Sequence, residues 1–209
     1  MSLKKPIYEL RTYTLRANRL MDYINLTTQK FHLRTSHSVL NGFWFHELGG
    51  GLNAATHIWQ YDSLAHRASV RAALATDSEW TGQYVSHLLP CLDKQENSVC
   101  QVPDWAEEIS DFSNETAKSK IIDDNTANPY QLITVQKSEI GSGEIQCKLT
   151  ELAENFGIEV VGCLQTVVGD KDKVHILLKL ARVDDSLVTE IHGLQKSVVM
   201  LPTRWSPMK

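Results

Sequence analysis

Apolar positions at Leu20, Ile24, Thr27 and Phe31 fall on one face of a helix, and Ile145, Leu149, Leu152 and Phe156 repeat the same spacing later in the chain. Asn18 and Ser142 are expected as the N-caps of these two helices, and Gly157 as the left-handed residue ending the second. Segments 7–15, 42–48, 55–61 and 97–102 are rich in aromatic and β-branched residues bounded by turn chemistry, and read as strands. Gly49-Gly50-Gly51 with Asn53 would turn 42–48 and 55–61 into a hairpin. Ser63 is expected to cap a helix reaching Ala75, with a second helical stretch from Ser78 to Leu89 before Pro90.

The same order occurs twice. Tyr8, the Gly42-Phe43-Trp44 run, His57-Ile58-Trp59 and Pro103-Asp104-Trp105 are matched by Tyr130, Gly162-Cys163-Leu164, His175-Ile176-Leu177 and Pro202-Thr203-Arg204-Trp205. Each copy reads β-α-β-β-α-β, a ferredoxin-like unit. In the second copy only Asp184 to Gln195 remains for the second helix, which is therefore shortened. The expected division is a first domain at 6–105, an acidic polar linker at 106–128 and a second, shortened domain at 129–209.

A four-stranded sheet with both helices on one side leaves its other face bare, about 400 Å² from strand rise and spacing. At ~25 cal/mol/Å², covering it is worth at most about 10 kcal/mol. Soluble monomers seldom leave such a face open, so the two sheets are expected to cover one another. On the first strand the odd face holds Ile7, Glu9, Arg11 and Tyr13, where the second copy has Gln131, Ile133 and Val135. Any pocket therefore belongs on the first-copy side.

The charge balance narrows the classes. The formal net charge is −4 and no block of lysine and arginine is interleaved with aromatics, so nucleic-acid binding is disfavoured. No apolar run approaches the roughly 20 residues that span a bilayer, so no transmembrane segment is expected. Met1-Ser2-Leu3-Lys4-Lys5 leads directly into the first strand without secretory character. Cys91, Cys100, Cys147 and Cys163 lack CxxC spacing and read as free thiols of a reducing compartment.

The candidate chemistry is a cavity and a surface. His57, Trp59 and Tyr61 alternate along one strand and Trp44 and His46 along another; with Arg11 and Tyr13 they would line an inter-sheet cavity for a small planar or acidic ligand. Arg67 and Arg71 are four apart on a helix and, with His37, His66 and Trp80, form a candidate anion or partner surface. A solvated pair, or one bridged to acids such as Asp77 and Glu79, is the plainer alternative. His32 and His37 diverge around a helix, so no metal site is expected there, and His32, Arg34 and His37 read as cations at a helix C-terminus. No catalytic residue and no cofactor are expected, since no GxSxG, GxGxxG, phosphate-loop or HExxH motif occurs.

The run from His57-Ile58-Trp59 through Tyr61-Asp62-Ser63, Ala65-His66-Arg67, Val70-Arg71 and Ala73-Leu74-Ala75 to Glu79-Trp80 resembles the signature of the NipSnap family. So do His32-Leu33-Arg34-Thr35, Asp93-Lys94-Gln95-Glu96 and the C-terminal Leu201-Pro202-Thr203 with Ser206-Pro207. The resemblance is strongest to the family's homolog 3 branch. It implies an α+β fold of tandem ferredoxin-like repeats forming a dimeric α/β barrel. It also implies a non-catalytic adaptor with protein partners, linked to mitochondrial quality control or vesicular trafficking, located in mitochondria or cytoplasm, with homo-oligomers and peripheral membrane association compatible. The alternative is a small-molecule or haem binder, or a cofactor-free enzyme, using the barrel's cavity. The departure from the family is the shortened second helix of the second copy.

Overall fold

In the computed structural model, residues 5–112, 128–183 and 196–208 are described. The first half contains β1 (Ile7–Leu15), α1 (Leu20–Lys30), α2 (His32–Thr35), β2 (Val39–Leu48), β3 (Ala54–Tyr61), α3 (Leu64–Thr76) and β4 (Leu92–Gln101). A π-helical segment Trp80–Val85 leads into α4 (Ser86–Leu88) ahead of β4. The second half contains β5 (Tyr130–Gln136), α5 (Ser142–Phe156), β6 (Glu159–Val168), β7 (Lys173–Lys179) and β8 (Lys196–Pro202). The expected short helix at 184–195 lies outside the described residues, as does most of the expected linker.

All eight strands close one antiparallel barrel in the order β1-β3-β2-β8-β5-β7-β6-β4. The bare faces meet across the barrel interior, where Tyr8, Leu10, Trp44, Ile58, Leu132, Leu177 and Met200 pack together. Closure also pairs the sheet edges, β2 with β8 and β4 with β6, which removes the unpaired strand edges. The opposite faces pack on helices: α1, α3 and α4 cover the first half, and Ile145, Leu149 and Leu152 of α5 cover the second.

Helix ends follow the chemistry unevenly. The Ser63 side chain accepts from the backbone N–H of His66 and starts α3, and Gly157 ends α5 at φ 61°. Asn18 and Ser142 do not cap. Asn18 lies within a 3-10 turn at Ala17–Arg19, and the residue before α5 is Gly141, without a side-chain cap.

Two features explain why the Gly-containing anchors recur. In the β2–β3 ladder Leu40 pairs with Trp59 but Gly42 with Ile58, so Asn41 is an extra, bulged residue; in β6–β7 Val161 is bulged likewise between Val160 and Gly162. At each bulge a glycine admits an aromatic ring. A Cβ on Gly42 would lie 2.0 Å from the Trp44 ring, and one on Gly162 would lie 2.3 Å from Phe112.

The halves also exchange their ends. Residues 104–112, expected as the end of the first domain and the start of the linker, dock on the second half: Ala106 and Phe112 are buried, and Asp111 N–H donates to the Val161 carbonyl at 2.9 Å. Trp105 packs on the second half's core, and Trp205 of the second half packs on Phe31 and Phe43 of the first. Ser206 Oγ accepts from Phe43 N–H at 2.9 Å. The four cysteines are free thiols; burial pushes Cys100 up to about 11 and Cys163 up to about 12.

Candidate functional site

A cavity of about 350 Å³ lies between the outer face of the first-half sheet and the helices over it. It is not inside the barrel. Its floor is made of the buried Tyr13, Phe43, His57 and Trp59, and its walls include Phe31, Arg34, Leu74 and Tyr84. The exposed Arg71, Ala75, Thr81 and Leu89 surround its opening. The π-helical segment supplies Trp80, Thr81, Tyr84 and Val85, four of its six residues, to this one cavity. Such insertions in helices recur at functional sites.

The β-ladders explain the floor. Phe43 pairs with His57, His57 with Arg11, and Arg11 with Asn97, so their side chains form one row across four strands on the helix side. Phe43 stacks on His57 with centroids 4.7 Å apart at 17°, and Tyr13 meets the same imidazole edge-on at 4.7 Å. The Trp59 indole N–H donates to His57 Nδ1 at 2.5 Å, so the ring's proton sits on Nε2. Burial, assisted by Arg11 and Arg34, pushes the His57 pKa well below the ordinary histidine range, and the imidazole is neutral.

Beside the cavity lies a charged network. Glu9 is fully buried and accepts from Arg67 Nη2 at 2.7 Å, Asn97 Nδ2 at 3.0 Å and the Tyr61 hydroxyl at 3.3 Å. Burial alone would raise its pKa, but Arg67, Arg11 and Asn97 outweigh that and hold it at about 2. Arg34, only 5% exposed, donates to Ser38 Oγ at 2.7 Å and to the Tyr61 hydroxyl, and its guanidinium stacks 4.6 Å from the Trp59 ring. Burial pulls the Arg34 pKa down while Tyr61 opposes the shift.

The structure redistributes the expected residues. Arg11, Tyr13, His57 and Trp59 line the cavity together. Trp44 and His46 do not: the ladder sets Phe43, not Trp44, opposite His57, so Trp44 and His46 face the barrel, where His46 Nε2 is 2.8 Å from Thr56 Oγ1. Burial and Lys196 lower His46 to about 4. Tyr61 sits one step beyond the cavity, bridging Glu9 and Arg34.

The expected outer surface dissolves in the same way. Arg67 is spent on Glu9, His66 contacts its neighbour Asp62 at 3.1 Å, and His37 faces Asp77 at 3.9 Å. Arg71 and Trp80 turn to the cavity instead. The alternative bridge of Arg67 and Arg71 to Asp77 and Glu79 is also absent: Asp77 Oδ1 accepts from the N–H groups of Glu79 and Trp80. Arg34 stands in the last turn of α2, as a helix-end cation should, but it is also a buried cavity residue, which the sequence did not indicate. Phe31, Phe43 and Tyr84 were not singled out. The available signal for Tyr84 was its i,i+4 spacing from Trp80.

Among the described residues no group of three or more His, Cys, Asp or Glu could hold a metal ion, and no helix is long and apolar enough to cross a membrane. The cavity's charged lining is all cationic, three arginines and no carboxylate, and its other polar groups are the His57 imidazole, Gln95, the indoles of Trp59 and Trp80, and the hydroxyls of Tyr13, Thr81 and Tyr84.

Comparison with known proteins now sets this geometry in a lineage. NipSnap homolog 3A of Homo sapiens is 30% identical over 224 residues, spanning 97% of this chain and 85% of that protein. Homo sapiens NipSnap homolog 3B is 34% identical over 174 residues, or 81% of this chain and 65% of its own length. In fold alone, a chlorite dismutase variant from Candidatus Nitrospira defluvii superposes with a TM-score of 0.52 at 7% identity, over 95% of this chain and 91% of that one. The NIPSNAP family profile matches residues 8–116, which with the relatives above places the chain in the NIPSNAP family.

Proposed function

We propose that the chain binds a small organic anion in the first-half cavity, as a binding protein without a catalytic set of its own. The observation that carries this is the charge pattern: Arg11, Arg34 and Arg71 border one aromatic-walled space that no carboxylate lines. Buried donors without acceptors are costly, and an anion supplies acceptors only. The second half lacks the equivalent: Ile133 and Ile176 stand where Arg11 and His57 stand, and α5 packs directly on them.

The identical strand order in the two halves supports tandem ferredoxin-like repeats, spanning 6–105 and 129–209, as the origin of the barrel. An adaptor role in mitochondrial quality control or trafficking, with a mitochondrial or cytoplasmic location and self-association, rests on family membership. Arg67 is engaged by the buried Glu9, and Arg71 and Trp80 line the cavity, so the cavity is the better supported site.

The test is calorimetric titration of the purified chain with aliphatic and aromatic carboxylates and phosphates. One saturable site per chain is expected for at least one of them, lost in Ala75→Trp, which fills the opening. Binding that survives Ala75→Trp, or no binding at all, rejects the cavity as the functional site.

A further inference from the structure

We infer that the cavity takes a planar aromatic monocarboxylate, its two oxygens held by His57 Nε2–H and Arg11 Nε–H and its ring seated between two aromatic walls. The assignment rests on the cavity reading above and names its ligand class.

Three observations meet at one spot. His57 Nδ1 is already occupied by the Trp59 N–H, so Nε2 is a donor; it has no partner among the described residues, on a side chain only 3% exposed. Arg11 Nε is likewise buried without a partner, while Arg11 Nη2 donates to Gln95 Oε1 at 3.1 Å and Nη1 stands 3.7 Å from Glu9. The two residues are directly opposite in the β1–β3 ladder, which places neighbouring side chains on one face of the sheet. Two adjacent donors fit the two oxygens of a carboxylate. Glu9 accepts its hydrogen bonds from Arg67, Asn97 and Tyr61 and reaches Arg11 only at Nη1, which leaves Nε without an acceptor.

The rest of the cavity specifies shape. On the helix side, Trp80 and Tyr84 stack with centroids 4.8 Å apart at 26°. On the sheet side, Phe43 lies nearly parallel to His57, with Phe31 against its edge at 79°. Ring faces and edges arranged in this way select a flat conjugated body over a flexible chain. Arg71 at the opening adds long-range attraction for an anion approaching from solvent.

The experiment compares naphthoate, its neutral isostere naphthamide and the aliphatic acid octanoate by calorimetry at neutral pH. The assignment expects one naphthoate per chain, with naphthamide and octanoate each at least about tenfold weaker. His57→Phe should weaken naphthoate at least about tenfold with little effect on naphthamide, and His57→Gln, which restores an N–H at similar reach, should recover most of the loss. Naphthoate binding no tighter than octanoate or naphthamide, or indifferent to His57→Phe, overturns the assignment. Should His57→Phe not fold, the imidazole Nε2–H resonance of the unaltered protein decides: it shifts on adding naphthoate, and an unmoved resonance overturns the proposal. If anions bind and Ala75→Trp abolishes them while His57 proves indifferent, only the ligand class falls. If Ala75→Trp leaves anion binding intact, the cavity reading falls with it.

Discussion

Trp59 and His57 are two residues apart on one strand and share a hydrogen bond from the indole N–H to Nδ1, which decides which nitrogen of the imidazole faces the cavity as a donor. Nitrogen-detected NMR should show a neutral ring with Nε2 protonated from mildly acidic to mildly alkaline pH. Trp59→Phe deprives the buried Nδ1 of its donor and should cost about 1–3 kcal/mol in urea unfolding. A protonated or Nδ1–H ring in the unaltered protein would contradict this account of the cavity floor.

Glu9 ties β1 to α3 through Arg67. Glu9→Ala leaves the Arg67 guanidinium half-buried without its carboxylate, and breaking such a pair costs about 3–5 kcal/mol. The loss is read as a lower midpoint in urea.

The same carboxylate sets an acid limit. Its pKa is about 2 in the folded chain against an ordinary 4.5, so its contribution is complete above about 4.5 and disappears as pH falls towards 2. Unfolding free energy measured across this window should fall less steeply in Glu9→Gln than in the unaltered protein.

His46 and His175 act in the adjacent window. Burial, with Lys196 near one and Lys173 near the other, lowers each from 6.5 to about 4. Only the unfolded chain takes up these protons at first, so stability is lost as pH drops from 6.5 to about 4 and the loss levels off below. Replacing His175 by Gln should flatten the slope of unfolding free energy between those two values.

Gly42 and Trp44 test the barrel interior. Gly42→Ala forces the Trp44 ring from its seat and should cost about 1–3 kcal/mol by thermal or urea denaturation. A substitution without effect would mean that the interior is loosely packed around Trp44.

Several elements were legible in the chain because they rest on local chemistry. Ser63 caps α3 and Gly157 ends α5 since a hydroxyl acceptor and a missing Cβ act within one turn. The apolar spacing of Ile145, Leu149 and Leu152 located α5, and alternation located β1 to its ends. The sequence pointed to a cavity between the two sheets, whereas the cavity lies on the other side of the first-half sheet, under its helices. Capping by Asn18 and Ser142 failed because the chain enters both helices by other turns.

What tertiary structure alone decided is direction. Aligning His57 with His175 by their shared neighbours is one residue out of step with the ladders, in which Arg11 faces His57 while Thr134 faces His175; one histidine therefore looks under the helices and the other into the barrel. The β2–β3 register likewise sets Phe43 opposite His57 and turns Trp44 and His46 to the other face, and no periodicity within a strand announces its register. Arg34 became a buried cavity residue only when Trp59 and Tyr61 arrived from another strand to receive it. Period and turn chemistry are properties of neighbours along the chain, so the sequence determined β1, the β2–β3 hairpin, α3 and α5. Register, closure and the burial of charge depend on partners far away in sequence, and folding had to bring those partners together before a site existed.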